Sequence, residues 1–467
     1  TALGDTSLAS NTTTNHNTAV GQGALQSNTA ASNTAVGSAA LNANTTAVGN
    51  TALGYNALQL TTTGAQNVAV GAYALDANTT TSQNTALGHS ALGANTASDN
   101  TAVGMRALTT NTTGTENTSV GKDSLKLNST GNYNVAMGND ALFNNLASYN
   151  TAIGYKALLA NTTGDYNVVV GSLALDSNTT GVKNTALGHG AMGDNTTGNY
   201  NIAIGENSLA DNTTADYNIA MGMDALRANT TGNYNTAIGE GACAASTTTS
   251  GNTGVGHRAL YDNTGTENTA IGGYAGQNIS TGDYNCAMGY TSLNTLTTGS
   301  HNMGLGFQAA HNSTTADYNT AIGSNALFSN TTGGSNVAVG YKAGYTNSTS
   351  AQNTFVGYRA GQAANASDVT YIGYDSGLHA TGSSNTCLGH RTLDAASCVG
   401  SNNTAIGREA LGKLTTGANN TALGYFAGRE TLGGDNNLTL GYDAYPSGSG
   451  SSNEVTFGNA SISAIRC

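Results

Sequence analysis

The phrase Asn-Thr-Ala-(Val/Ile/Leu)-Gly returns along this chain at a spacing of 17 residues. From Asn117 through Asn134, Asn150, Asn167, Asn184, Asn201, Asn218 and Asn235 to Asn353, the spacing shortens only twice, each time by one residue. A fixed period this short makes each repeat one turn of a solenoid rather than a domain. The usual division of 467 residues into several globular domains therefore does not apply, because a solenoid grows in one dimension.

One repeat shows how a coil is built. In Asn150–Tyr166, Thr151-Ala152-Ile153 reads as a short strand with alternating faces, closed by Gly154 at a bend. Ala157-Leu158 supplies a second apolar pair. Asn161-Thr162-Thr163-Gly164 reads as a turn, since Asn and Gly tolerate left-handed backbone angles. The expected interior or interface positions are therefore Ala152, Ile153, Ala157 and Leu158, with Val170, Leu175, Ile204 and Leu209 read as interior in the following coils. So little apolar material per coil means that no repeat folds alone and that stability accumulates by stacking. Gly every few residues, with β-branched Thr, Val and Ile, disfavours helix.

The asparagines Asn134, Asn150, Asn167, Asn184, Asn201, Asn218 and Asn235 are expected to form an internal ladder. A second ladder is expected at Asn161, Asn178, Asn195, Asn212 and Asn229. The Asn-X-Thr sequence also matches a glycosylation acceptor, but so many copies at one structural position favour the ladder. Tyr133, Tyr149, Tyr166, Tyr200, Tyr217 and Tyr234 precede the phrase as a column. It reads as a structural stripe and is also the one surface feature suited to carbohydrate. With roughly 4.8 Å per strand, about 27 coils would extend on the order of 130 Å. The thin coil is expected to pack one apolar face against identical chains around a three-fold axis, as a homotrimer.

Composition narrows the partners. Charged residues are 9% of the chain and the net charge is −12, so a nucleic acid or an anionic membrane lacks the basic face it would want. No apolar run is long enough to span a bilayer as a helix, and membrane insertion is not expected. The chain opens inside a repeat without a signal peptide, which reads as a fragment of a longer polypeptide. The cysteines Cys243, Cys286, Cys387, Cys398 and Cys467 replace small repeat residues or fall at the end. They read as packed hydrophobes, with one disulfide open between Cys387 and Cys398.

No catalytic, metal or cofactor constellation emerges. His89, His189, His257 and His390 follow the phrase's glycine in coils far apart. Asp165, Asp216, Asp283 and Asp317 do not follow a calcium-binding nonapeptide, and Gly272-Gly273-Tyr274-Ala275-Gly276 lacks the setting of a phosphate loop. The period breaks at 445–450, around Pro446, the only proline. Residues 1–442 therefore read as a repetitive shaft, and 443–467 as a cap or tip carrying Val455, Phe457, Ile462 and Ile465. A shortened coil leads to Asp368 and an enlarged one surrounds Ala395-Ala396-Ser397-Cys398. Such deviations are where binding loops tend to sit.

Two resemblances follow from these residues. The Asn-Thr-Ala-Val-Gly phrase resembles the head repeats of trimeric autotransporter adhesins, which implies a left-handed parallel β-roll that binds host surfaces as a trimer. The stretch from Gly154 to Asn167, and above all the ending from Asn453 to Cys467, is similar to bacteriophage tail fibres. That resemblance implies a shaft followed by a trimerising chaperone that cleaves itself off.

The expected fold is thus an all-β parallel β-solenoid with 17-residue coils, homotrimeric and left-handed. The expected role is a fibre shaft on a virion tail or other extracellular surface, presenting a tip to a host glycan or protein. The alternative is a bacterial adhesin or self-assembling surface filament. An ice-binding face at Thr162-Thr163, Thr179-Thr180 and Thr196-Thr197 is disfavoured, because these threonines run into a glycine turn. The sequence does not identify receptor-binding residues.

Overall fold

The computed structural model describes residues 1–462 and forms two compact units, Thr1–Tyr234 and a second beginning at Asn235. Fourteen short strands run through the first, β1 (Ala2–Leu3) to β14 (Ile219–Met221). Fourteen more run through the second, β15 (Thr236–Ile238) to β28 (Val455–Phe457). Within each unit successive strands pair in parallel with like residues in register. Strand β10 (Thr151–Ile153) sets Thr151 against Val168, Ala152 against Val169 and Ile153 against Val170 of β11 (Val168–Val170). The architecture is an all-β parallel β-solenoid, with no helix among the described residues.

Hydrogen bonds continue the ladder outside the strands. Leu158 N–H donates to Ala174 O at 3.0 Å, Ala160 N–H to Asp176 O at 3.0 Å and Thr162 N–H to Thr179 O at 2.8 Å. The turns thus bond to the next coil much as strands do, which answers where the backbone polar groups of a strand-poor chain go. The bend after the strand requires glycine: Gly154 has φ 140°, and a Cβ there would lie 2.3 Å from Gly171 O of the next coil.

The other left-handed positions differ from the expectation. Asn161 and Gly164 do not supply them; Lys156 (φ 56°), Leu158 (φ 54°) and Tyr166 (φ 61°) do. Gly164 is needed instead for close packing, since a Cβ there would sit 2.2 Å from Gly181 O. A leucine at positive φ is costly for its backbone. The cost is borne because this conformation places its side chain in the core.

That core is narrow. In the coil beginning at Asn150 it holds Ala152, Ala157 and Leu158, flanked by Asn150 and Asn161, all at 0% exposure. Leu175 and Leu209 are likewise buried. The expected interior positions Ile153, Val170 and Ile204 are not: each lies half-exposed at the third strand position, with the central Ala or Val buried instead. Alternation decides this. In a three-residue strand the first and third side chains share a face, and burying Ala152 turns Thr151 and Ile153 outward.

The second unit contains a departure from this core. Phe355 and Tyr371 take the place of the central alanine, and Gly344, Gly361 and Gly377 take the place of the core leucine. A Cβ on Gly361 would lie 2.4 Å from the Phe355 ring, and one on Gly377 2.4 Å from the Tyr371 ring. Volume lost at one position is refilled from the other, as close-packed interiors require. Cys387 and Cys398 are both buried free thiols, so the disulfide that their spacing allows is not formed. Past the Pro446 turn, β28 pairs in parallel with β27 (Leu438–Leu440). Val455, Phe457 and Ile462 are exposed, whereas Ile465 and Cys467 lie outside the described residues.

Candidate functional site

The asparagine columns form two different ladders. In the first, the side-chain Oδ1 accepts the backbone N–H of the equivalent asparagine one coil on: Asn150 to Asn134, Asn167 to Asn150, Asn184 to Asn167, Asn201 to Asn184 and Asn218 to Asn201, at 2.9–3.0 Å. Nδ2 donates to a turn carbonyl near the end of its own coil, as from Asn134 to Ala147 and from Asn235 to Thr249, both at 2.8 Å. The second ladder runs amide to amide, from Asn178 to Asn161 at 2.9 Å, Asn195 to Asn178 at 2.8 Å and Asn212 to Asn195 at 2.7 Å. These asparagines are fully buried and hydrogen-bonded, which leaves none of them open to a glycosylating enzyme. They are scaffold, and the surface open to other molecules is the outer faces.

Three outer features stand out. The first is an apolar stripe at the third strand position. Through the first unit it reads Val, Leu, Ile or Met at every coil from Leu3 to Met221, and through the second it does so from Ile238 to Leu440, with Phe457 last. Leu53, Leu87, Met137 and Leu187 are 45–47% exposed. Side chains repeating at strand spacing along one face make an apolar strip in each unit, the kind of exposed patch that marks a contact surface.

The second feature is aromatic. Tyr133, Tyr149 and Tyr166 stack at 4.9 Å with interplanar angles of 12° and 4°, and Tyr200, Tyr217 and Tyr234 at 4.9 and 5.2 Å. The Lys183 ammonium lies 4.9 Å from the Tyr200 ring centre. Because each inner ring is sandwiched by its neighbours, the column shows edges and hydroxyls rather than ring faces. A sugar that stacks on an aromatic face finds little room there.

The third feature lies in the second unit, at the enlarged coil. Here Ala380 bridges in parallel to Cys398, and residues 394–397 bulge past it. A groove of about 510 Å³ runs beside the bulge, lined by Arg359, Tyr374, His379, His390, Arg391 and Asp394 among others. A smaller one of about 180 Å³ shares Arg391 and Asp394 and adds Glu409, Lys413 and Arg429. Arg359 grips Asp375 with two bonds, Nε to Oδ1 at 2.8 Å and Nη2 to Oδ2 at 2.5 Å. Arg391 Nε donates to Asp394 Oδ2 at 2.7 Å, while Asp394 Oδ1 is buried without a hydrogen-bond partner. Burial pushes the Asp394 carboxyl above its usual range, against the pull of Arg391. Tyr341, Tyr358, Tyr374 and His390 form a stack that ends on His390 beside the groove.

Of the histidines singled out in the sequence, His390 borders this groove. His89 meets Tyr73 and His257 meets Tyr274, in separate places. Among the described residues no group of three or more His, Cys, Asp or Glu is placed to hold a metal ion, and no helix is long and apolar enough to cross a membrane. The aspartate column works on the backbone: Asp165 and Asp216 accept the N–H of Ser148 and Asn199 at 2.7 and 2.6 Å. The sequence flagged the enlarged coil by its broken period, but gave no sign that Arg359, Tyr374 and His379 border the same groove.

No protein-family model matches the chain, and no curated protein matches it.

Proposed function

We propose that this chain is the shaft of a bacteriophage tail fibre, a homotrimer that spaces and presents a receptor-binding region at the host surface. The observation that carries the reading is the apolar stripe. A narrow strip of Val, Leu, Ile and Met along one edge of a coil suits three chains converging on an axis, each giving one stripe to a shared core. Burial of that strip contributes roughly 25 cal/mol per Å², accumulated coil by coil. The coil's own core, three small or medium apolar side chains and two asparagines, is thin enough to benefit. The left-handed winding implied by the resemblance to adhesin heads belongs to the same proposal, as does placement on a virion.

An antibody raised against the chain distinguishes this from the nearest competitor. Label on the distal tails of phage particles in electron micrographs is the expected outcome. Label on bacterial surfaces or free filaments, with none on particles, would move the chain to the adhesin or filament class.

A further inference from the structure

We propose that the groove at the enlarged coil is a lateral binding site for a neutral polysaccharide, with Arg391 and Asp394 engaging adjacent hydroxyls of one sugar ring. This rests on the reading of the chain as a surface-attachment protein, but it places recognition on the flank of a coil rather than at a tip. Four observations converge. The groove lies where the repeat is broken, by two 16-residue coils followed by an 18-residue one at Asn353, Val369, Asn385 and Asn403. Its volume falls within the range of small-ligand sites. Asp394 keeps one buried carboxylate oxygen unpartnered, a state that native structures rarely leave unanswered. Beside it, the Arg391 side chain is 53% exposed and has spent only Nε on Asp394, so outer N–H donors remain for a ligand.

The chemistry selects among ligands. Arg359 and Arg391 are balanced by Asp375 and Asp394, so these four groups carry no net charge. An anionic ligand would approach an unpaired carboxylate oxygen, and an apolar one would leave that oxygen unsatisfied. A hydroxyl donates to it, and the neighbouring hydroxyl of the same ring accepts from Arg391; sugars carry such pairs repeatedly. The Asp394 side chain is 7% exposed and forms part of the groove wall, next to the exposed Arg391. Tyr374 is sandwiched between Tyr358 and His390, so it offers a sugar little ring face, and the polar pair Arg391 and Asp394 carries the contact.

The test is biolayer interferometry of the whole chain over immobilised dextran, mannan and galactan, with polygalacturonate and chitosan as acidic and cationic comparators. At least one neutral polysaccharide should retain the protein. Asp394→Asn and Arg391→Ala should each weaken that binding about tenfold or more, while Tyr200→Ala in the first unit leaves it unchanged. Should Asp394→Asn melt early, the exposed Arg391→Ala variant carries the test alone. Failure to bind any neutral polymer, a preference for polygalacturonate or chitosan, or full binding by Arg391→Ala would overturn the proposal. Such a failure leaves the fibre reading standing if antibody still labels virion tails. Groove binding without tail labelling would remove the fibre and keep the groove.

Discussion

The coils from Asn150 to Tyr234 and those from Asn353 to Asn403 share one backbone plan and fill it in opposite ways. In the first stretch the strand centre is a small residue, Ala or Val169, the turn gives Leu158, Met192 or Leu209, and both asparagine ladders run on. In the second, Phe355 and Tyr371 reach inward from the strand, Gly361 and Gly377 make room for them, and Val369 replaces an asparagine of the first ladder. What the two have in common is the bend glycine, at φ 140° in Gly154 and 136° in Gly357. The coil therefore tolerates exchange of volume between strand and turn, but not a side chain where successive backbones touch. Where the exchange occurs, coil lengths also change and a groove opens. Regular coils build the scaffold, and irregular ones supply its distinguishable surface.

Several substitutions would break or sharpen this contrast. The largest effect is expected at the shared glycine. Gly154→Ala and Gly357→Ala should each cost about 2–6 kcal/mol, from a strained positive φ together with overpacking against the next coil. A cost at only one of them, read from chemical denaturation, would show that the two regions do not share a plan. Next comes the exchanged pair. Phe355→Ala should cost about 3–5 kcal/mol and Gly361→Leu about 1–3 kcal/mol. The double variant restores the regular pattern and should be milder than the two costs added, by a coupling of about 0.5–3 kcal/mol. Strict additivity would deny the compensation.

The second ladder offers a smaller effect. Asn178→Ala removes its bonds to Asn161 and Gly181, leaves Asn161 Oδ1 without its donor and costs Asn195 Nδ2 one of its two acceptors, for an expected loss of about 2–3 kcal/mol. Replacing Leu296, which sits in that column in the second unit, by Asn should bring no comparable gain, since its neighbours Ile279 and Ser313 carry no amide to receive it.

The smallest effect, at Cys243, is absent at neutral pH. Burial holds the Cys243 thiol at about 12 against an ordinary value of 9.0. A raised folded-state pKa gives stability that is complete below the unfolded value and lost as pH climbs from about 9 to about 12. Cys243→Leu, the residue other coils carry there, should flatten that alkaline decline relative to the parent in melting curves at stepped pH.

Much of this was readable in the sequence, and the misses have physical causes. Period, strand positions and the columns at Asn150 and Asn161 follow from self-similarity, which one chain displays many times over. Ile153 was misplaced because its size suggested a core residue, whereas a coil this narrow admits only Ala152 from the strand. The left-handed backbone of Leu158 and Tyr166 was hidden, because neither residue type favours it and only stacking enforces it. Arg359 and Asp394 border one groove across coils of unequal length, and no local pattern encodes that.

The central claim is that the outward stripe of Ile153, Val170 and Ile204 is a shared core of three chains. Light scattering coupled to size exclusion measures it directly on the intact protein. The account predicts a single species near three times the 46.6 kDa chain, falling to one chain mass when Val170 and Ile204 are both changed to Lys. A monomer in the parent, or a trimer indifferent to those lysines, would contradict it.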